Sequence, residues 1–331
     1  MPPQPFSLTA GLLTALTLAL SACGSDAERD GDDGSKTPPQ PTASTSAGFP
    51  PARGKTIADL REGLAGGPVL VQAVSVLEPG DNRFGFGLFD RTHKQIAGAR
   101  VAIYVAREGE GTKAQGPFRA RSESLAVKGP FRSRSVALDP DAARSIFTAT
   151  LPVALAGDYE LLALARIGGK LLAADRIGVR VARKSPVPAV GERAPRISTP
   201  TRQSVDGQIG AIETRVPPDS MHETDFADAL GKRPIVLVFA TPALCQSRVC
   251  APVVDIAEQV KSAHNGEAAF IHMEIYKDNE VEKGFRPQVR AWRLPTEPWA
   301  FTIDLAGKVA ARIEGPFSER ELERAVDAAM R

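Results

Sequence analysis

The chain has 331 residues, which suggests two domains at the usual domain size of about 150 residues. Hydrophobic residues make up 43% and charged residues 24%, a composition typical of globular proteins and unlike disordered or fibrous ones. The 41 basic and 39 acidic side chains leave a formal charge of +2, which argues against a polycationic nucleic-acid clamp. Three cysteines, Cys23, Cys245 and Cys250, are too few for a disulfide-dense scaffold.

The first apolar segment, from Phe6 to Ala22, has the length of a signal-peptide core and is too short to span a bilayer comfortably. It ends in Leu20-Ser21-Ala22-Cys23, which resembles the bacterial lipobox, although residues 1–7 lack the usual basic side chains. The resemblance implies that residues 1–22 are a lipoprotein signal peptide and that Cys23 is lipidated. We therefore expect a lipid anchor at the extracytoplasmic face of the cell membrane. The alternative is an ordinary secretory signal with Cys23 present by chance.

Residues 23–65 are predicted to form a disordered tether between the membrane and the folded part. From Gly24 to Lys55 the chain is rich in Gly, Ser, Thr, Pro and Asp and nearly lacks large apolar side chains. Such a segment cannot bury enough surface to offset its chain entropy. A flexible chain of about 30 residues holds a folded domain on the order of 30 Å from the membrane.

Residues 66–184 are predicted to form an immunoglobulin-like (Ig-like) β-sandwich. About seven strands in roughly 115 residues are typical of such a domain. Tyr159 lies in a segment that resembles the corner of these domains in which a Tyr hydroxyl binds a backbone carbonyl. The sequence leaves open whether this region is a spacer or binds a partner. The segments that show the strand pattern between turn signals are 69–76, 83–89, 99–106, 119–127, 146–151, 159–167 and 171–181.

Residues 185–331 are predicted to form a second domain that mixes strands and helices. The apolar run Ile235–Phe239 predicts a strand buried on both faces. A helix to about Ala263, a second strand, a β-hairpin and a closing helix from Ser318 follow it. This order, with the entry segment Val190–Pro195, resembles TlpA-like thioredoxins and alkyl hydroperoxide reductase-like peroxiredoxins. The expected fold class is therefore an all-β Ig-like sandwich followed by an α/β thioredoxin-like fold.

Cys245 and Cys250 lie where the first strand of this domain turns into its helix. A thiol at a helix N-terminus is favoured as the thiolate, which is the reactive form. Thioredoxins have two residues between their cysteines, whereas this chain has four, and alignment on Ala251–Asp255 puts Ser247 where their second cysteine lies. Residues five apart on an ideal helix are about 8.6 Å apart, beyond the roughly 7 Å that a disulfide tolerates. A bridge therefore requires Cys245 to precede the helix, or the first turn to loosen.

Further candidate site residues come from two later strands. Pro298 begins a segment that resembles the TlpA-like stretch in which a cis-proline precedes a strand, and Pro295 is its weaker competitor. The resemblance implies that Pro298 lies against the cysteines and presents backbone groups to an extended substrate. His272 and Glu274 share one face of the second strand, and a charged residue there can help a buried cysteine to lose its proton. The alternative is a set of polar residues at a sheet edge.

These features predict a membrane-anchored thiol–disulfide oxidoreductase whose partners are protein thiols and disulfides. Cys245 is expected to attack a partner disulfide and Cys250 to resolve the mixed disulfide, with Pro298 positioning the partner. No dissociable cofactor, metal ion or nucleic acid is expected.

Two alternatives remain open at this stage. One is a thiol peroxidase, because cysteines five apart also occur in one class of peroxiredoxin and Arg286, Arg290 or Arg293 could activate the sulfur. The Thr and Pro of the peroxidase motif fit this chain imperfectly. The other is a non-catalytic binding or assembly lipoprotein in which Cys245 and Cys250 form a structural staple.

Overall fold

The computed structural model describes residues 48–245, 247–264 and 266–331. The predicted signal peptide, residues 1–22, and the predicted lipidation of Cys23 lie outside them. Among the described helices, none is long and apolar enough to cross a membrane.

The first half of the described chain is an antiparallel β structure with two short helices. The elements are α1 (Ile57–Arg61), β1 (Val69–Gln72), β2 (Gly80–Phe89), β3 (Arg100–Arg107), β4 (Gln115–Ser124), α2 (Arg134–Leu138), β5 (Ser145–Val153), β6 (Gly157–Ile167), β7 (Lys170–Ala173) and β8 (Ile177–Val181). Across the sheet the strand order is β1-β2-β5-β4-β3-β6-β7, with β8 also paired to β6. The predicted strand 171–181 is two strands, because the chain breaks pairing around the exposed residues Asp175 and Arg176.

Strands β2, β3, β5 and β6 supply an apolar core that includes Phe84, Phe86 and Phe147. The hydroxyl of Tyr159, at the start of β6, donates to the carbonyl of Leu155 at 2.7 Å, as the corner motif predicts. This region is therefore held mainly by apolar packing and neutral hydrogen bonds.

Residues 48–65, which fall within the predicted tether, fold against the other face of β3 and β6. Thr56 begins α1 with a capping box that it shares with Asp59. Ile57 and Leu60 are three residues apart, so both point to the same side of the helix, where they are buried near Tyr104. Ala52, Phe49 and Leu64 pack in the same cluster, so the end of the predicted tether is ordered by apolar contacts although its composition is otherwise typical of a linker.

The second half contains a four-stranded sheet and four α-helices among the described residues. The elements are α3 (Phe226–Ala229), β9 (Ile235–Phe239), α4 (Cys250–Ala263), β10 (Ala269–Met273), α5 (Pro287–Ala291), β11 (Trp299–Ile303), β12 (Val309–Glu314) and α6 (Glu319–Met330). The strand order is β10-β9-β11-β12, in which β9 and β10 are parallel and the other pairs antiparallel. The predicted order of strand, helix, strand, hairpin and helix is confirmed. Short 3-10 helices, counting both halves, lie at Gly129–Phe131, Gln203–Val205, Ile209–Ala211, Lys277–Asn279 and Val281–Lys283.

Both faces of this sheet are covered, which agrees with the unbroken apolar sequence of β9. Helices α4 and α6 pack on one face, where Val253 and Leu322 are fully buried. The opposite face carries an aromatic cluster that includes Trp292, Trp299 and Phe301. The sheet is thus a rigid support for the turn that leaves β9.

The two halves belong to one compact unit and meet through buried polar groups. Arg83 of β2 donates to both carboxylate oxygens of Glu321, at 2.7 and 3.0 Å, and to the carbonyls of Glu314 and Pro316. Ser133 donates from its backbone and its hydroxyl to Asp255 of α4. Hydrogen bonds and an ion pair therefore join the first half to the second.

Candidate functional site

The site is built on the turn that joins β9 to α4. The backbone N–H groups of Leu244 and Cys245 donate to the carbonyl of Thr241, and the N–H of Arg248 donates to the carbonyl of Cys245. Helix α4 begins at Cys250, so Cys245 precedes the helix. The two Cα atoms are 6.0 Å apart and the cysteines form a disulfide. The structure thus meets the condition that the four-residue spacing imposes on a bridge.

The two cysteines differ in their access to solvent. Cys250 is fully buried, whereas Cys245 is partly exposed. Ser247 is exposed, and its Oγ lies 3.2 Å from the Sγ of Cys245. A bridging sulfur has no proton, so the hydroxyl is the donor in this contact. Because Cys245 is the more exposed of the two sulfurs, an incoming thiolate reaches it before Cys250.

Arg248 connects the cysteine turn to the first half of the molecule. Its backbone has φ of 56°, a left-handed conformation that non-glycine residues adopt infrequently. Its guanidinium contacts the carboxylates of Asp139 and Asp141 at 3.2 and 2.9 Å. The turn is thus held from both sides, by β9 and by the loop after α2.

Pro298 lies at the start of β11, and the peptide bond that precedes it is cis, as the resemblance implied. Its side chain is buried, and its carbonyl accepts a hydrogen bond from the N–H of Gly315 at 2.8 Å. The residue before it, Glu297, is the part of this segment that contacts the cysteine pair.

Glu297 is an ionisable group directly beside the buried sulfur. Its Oε2 lies 3.6 Å from the Sγ of Cys250 and accepts a hydrogen bond from the N–H of Thr241 at 3.1 Å. Burial, and then the nearby negative charge of Glu274, raise the pKa of Glu297 from 4.5 to about 7. The Tyr276 hydroxyl lies 3.5 Å from Oε1. A carboxyl that is half ionised near neutral pH can exchange a proton with a reduced Cys250.

The two residues predicted as auxiliaries are both buried but have different surroundings. Glu274 accepts two hydrogen bonds of 2.7 Å from the backbone and hydroxyl of Thr214, and burial raises its pKa. It influences Glu297 by its charge. His272 instead places Nδ1 2.7 Å from Asp219, outside the cysteine site. The structure therefore brings Glu274 towards the cysteine site and His272 into a second cluster.

None of the three arginines considered for a peroxidase forms a hydrogen bond with the cysteines among the described residues, and Arg286 is held by other groups. Arg286 donates to the carbonyls of Tyr276 and Ala211 and to the side chain of Asn279. Arg290 and Arg293 are exposed. Their positions give no support to sulfur activation by a guanidinium.

A cleft of about 1170 Å³ lies beside the cysteine turn, between the two halves. One wall contains Glu297, Pro298 and the turn residues 247–249, and another contains Val71 of the edge strand β1 and the loop 140–144. The cleft can admit a segment of polypeptide next to Pro298, and both halves shape it.

Several functional candidates were not identified from the sequence. Glu297 is one of them, although a carboxylate next to a predicted cis-proline is a usable signal. Glu213, Asp219 and His222 were not singled out, because their proximity to His272 arises only when a long irregular segment folds back against β10.

No protein-family model matches this chain, and no curated protein matches it. Solved structures similar to it include a thiol:disulfide interchange protein of the thioredoxin family from Chlorobium tepidum TLS. That likeness has 19% identity and a TM-score of 0.30, and covers 45% of this chain and 99% of the other. Another is MTB dsbF in its mixed oxidized and reduced forms, with 19% identity and a TM-score of 0.27, covering 41% of this chain and 96% of that one.

Proposed function

We propose that this protein is a thiol–disulfide oxidoreductase that acts through Cys245 and Cys250. The observation that carries the proposal is the asymmetry of the pair. A partly exposed sulfur is bridged to a buried one, and the buried sulfur lies 3.6 Å from a carboxyl with a pKa of about 7. A structural staple needs neither the exposed sulfur nor the carboxyl.

The proposed reaction exchanges one disulfide for another without a dissociable cofactor. In the reduced protein the Cys245 thiolate attacks a partner disulfide, forms a mixed disulfide and releases the partner's other sulfur as a thiolate. Cys250 then gives its proton to Glu297, and its thiolate attacks the Cys245 sulfur. This step forms the Cys245–Cys250 bond and releases the second partner thiolate. The reverse reaction follows the same steps, with protonated Glu297 supplying the proton to Cys250.

Pro298 and the cleft are proposed to hold the partner, a polypeptide with a thiol or disulfide. The cleft position next to residues 247–249 and Pro298 supports this role. The first half is proposed to be an Ig-like sandwich that forms the opposite wall. The antiparallel pairing of its strands and the apolar core shared by β2, β5, β3 and β6 support the proposal.

The lipobox supports a further part of the proposal, that Cys23 carries a lipid which anchors the protein at the extracytoplasmic face of the membrane. Mass spectrometry of the mature protein is expected to find an acylated N-terminal Cys23. Cys23→Ser is expected to move the protein from the membrane fraction to the soluble fraction. An unmodified N-terminus at another residue would contradict the anchor without affecting the redox proposal.

The redox proposal is tested by trapping the mixed disulfide in the full chain. A Cys23→Ser, Cys250→Ser variant retains Cys245 as its single thiol and is expected to form a stable adduct with oxidised glutathione and with disulfide-containing polypeptides. The matched Cys23→Ser, Cys245→Ser variant retains only the buried Cys250 and is expected to react far more slowly. Equal or absent trapping in the two variants would overturn the assignment of Cys245.

A redox titration separates this function from its alternatives. A midpoint potential above about −300 mV fits exchange chemistry, whereas a potential far below about −300 mV indicates a structural staple. Rapid consumption of hydrogen peroxide by the reduced protein, lost in a single cysteine variant, would instead favour the thiol peroxidase.

A further inference from the structure

A second cluster of ionisable side chains lies in the second half, apart from the disulfide. Glu213, Asp219, His222 and His272 are each 5% exposed or less. Asp219 and His222 lie near the end of the irregular segment before α3, and His272 lies on β10. One nitrogen or oxygen of each side chain lies within 4.8 Å of those of the other three. Two imidazoles and two carboxylates therefore converge on one small volume.

The spacing of these four donors fits a small divalent ion. Glu213 Oε2 lies 2.9 Å from His222 Nε2 and 3.4 Å from His272 Nδ1. Asp219 lies 3.6 Å from His222 Nε2, through Oδ1, and 2.7 Å from His272 Nδ1, through Oδ2. Ligands of tetrahedral zinc with bonds of 2.0–2.1 Å are about 3.3 Å apart, which is within the range of these distances.

The surrounding hydrogen bonds orient the donors towards a common centre. His272 Nε2 lies 3.0 Å from the carbonyl of Ala240, which can accept its N–H and leave Nδ1 with a free lone pair. A bond of this kind to a backbone carbonyl is typical of a metal-ligating histidine. His222 Nδ1 has no hydrogen-bond partner among the described residues, whereas Nε2, 2.9 Å from Glu213, is the ring nitrogen that faces the other donors.

The carboxylates are oriented by backbone groups of their own segment. The N–H of Arg215 donates to Glu213 Oε1 at 2.6 Å, and the N–H of Met221 donates to Asp219 Oδ1 at 2.8 Å. Oε2 of Glu213 also accepts the N–H of Asp219 at 3.3 Å, and both this oxygen and Oδ2 of Asp219 contact an imidazole. Two carboxylates and two neutral imidazoles also balance the charge of a divalent ion in a site that water does not reach.

We propose that Glu213, Asp219, His222 and His272 form a closed, structural Zn²⁺ site that fastens the segment before α3 to β10. All four ligands come from the protein and are buried, as in structural rather than catalytic zinc sites. Zinc suits mixed nitrogen and oxygen donors in a tetrahedral arrangement, whereas magnesium and calcium favour six or more oxygens. The site does not depend on the redox function.

The rival arrangement is an ion-free hydrogen-bonded network with a protonated His272. Burial opposes the charge on this ring, but the carboxylates of Asp219 and Glu213 raise its pKa well above 6.5. In that case both ring nitrogens donate, to Asp219 and to Ala240. Zinc titration distinguishes the two arrangements, because binding displaces the Nδ1 proton and leaves the Nε2 bond in place.

The test measures zinc in the full-length protein with its disulfide oxidised, so that the cysteines do not compete as ligands. Elemental analysis is expected to find one zinc per chain. Addition of Zn²⁺ to chelator-stripped protein, at about 100 times Kd, is expected to raise the thermal midpoint by about 5 °C. Co²⁺ in place of Zn²⁺ is expected to give the visible absorption of a tetrahedral ion.

Variants assign the ligands. His222→Gln is expected to weaken zinc binding by about 100-fold or more. His264→Gln is the matched control, because His264 also lies beside a carboxylate, that of the exposed Glu267, but is not part of the cluster. Unchanged zinc affinity in His222→Gln would overturn the proposal. If that variant fails to fold, a stripped wild-type chain that takes up no zinc, shows no cobalt spectrum and keeps its thermal midpoint would overturn it instead.

Discussion

The two halves of this molecule bury different kinds of side chain. The interior of the first half is nearly all apolar, with Phe84, Phe86 and Phe147 at its centre. The second half buries a set of ionisable groups beside its apolar clusters: Glu213, Arg215, Asp219, His222, Asp255, His272 and Glu274. Buried charges are costly unless they are paired. The difference fits the proposal that the second half carries the redox site, whereas the first half serves mainly as a scaffold.

The largest expected effect comes from a buried charge in the second half. Asp255→Ala removes the carboxylate that lies 2.8 Å from the guanidinium of Arg215 and that also accepts two hydrogen bonds from Ser133. Arg215, which is 4% exposed, then has an uncompensated charge. We expect the free energy of unfolding to fall by about 3–5 kcal/mol, measured by urea denaturation.

The matched control is Asp158→Ala in the first half. Its pair with Arg180 lies at the surface, so the expected loss is below about 1 kcal/mol. Similar losses of stability in the two variants would show that unpairing the buried charge in the second half costs no more than unpairing a surface charge in the first.

The next effect concerns the carboxyl beside the buried sulfur. Glu297→Gln is expected to slow closure of the mixed disulfide on the order of 10²-fold, because the amide cannot accept the Cys250 proton. In the wild type this step is expected to accelerate as pH rises through about 7, where Glu297 becomes a carboxylate, and the variant is expected to lose that inflection. Stopped-flow measurement of closure gives both quantities, and Glu282→Gln, an exposed carboxyl, is the control.

The raised pKa of Glu297 also predicts how the free energy of unfolding depends on pH, independently of the cysteine chemistry. Its folded pKa of about 7 is above the ordinary value of 4.5, so the folded state holds this proton more tightly than the unfolded state. Its contribution to stability is therefore fully present below pH 4.5 and is lost as pH rises through about 7. Denaturation at a series of pH values is expected to show this decline in the wild type and not in Glu297→Gln. An equal decline in both would show that another group titrates.

A smaller effect is expected at the contact between the halves. Arg83→Met removes the ion pair with Glu321 and two hydrogen bonds to backbone carbonyls, and we expect a loss of about 2 kcal/mol. Burial opposes ionisation of Glu321, but the hydrogen bond and charge of Arg83 keep its pKa below 4.5. This contribution is therefore present above pH 4.5 and is lost as the pH falls below it. Arg176→Met, which breaks an exposed pair with Glu160, is expected to have little effect.

The smallest effect tests the first half. Tyr159→Phe removes the hydroxyl that donates to the carbonyl of Leu155, with an expected loss of about 1 kcal/mol in the free energy of unfolding. The ring stays in place and keeps its apolar contacts. A loss larger than that of Asp255→Ala would show that polar groups stabilise the first half more than the second.

Local patterns in the sequence predict most of the second half, because its elements carry their own signals. The unbroken apolar run of β9, the end of α4 at Ala263 and the closing helix α6 after Ser318 all lie where they were expected. In the first half the alternating pattern also predicts strands, but it does not show that Asp175 divides the last one. Pairing depends on the partner strand, which periodicity does not describe.

The candidate site could be predicted in part. Cys245, Cys250 and Pro298 belong to recognisable segments, and the structure brings Glu297 to Cys250 through the residue next to that proline. The link from Arg248 to Asp139 joins residues more than a hundred positions apart, and no local pattern indicates such a contact. Alternation along a strand predicts on which face His272 lies, but it does not predict which residues cover that face. The residues that contact His272 come from a loop without periodicity.

The segment that joins the two halves has a consequence for how this protein can be divided. Arg312 donates to the Ser185 hydroxyl and to the carbonyls of Val187 and Pro188, and the N–H of Ser185 donates to Glu78. The segment that joins the halves is thus packed against both of them and is not a flexible linker. Either half produced alone would expose charged side chains that have lost their partners in the other half. Recombination is therefore expected to move the two halves together, as one inherited piece, rather than as interchangeable modules.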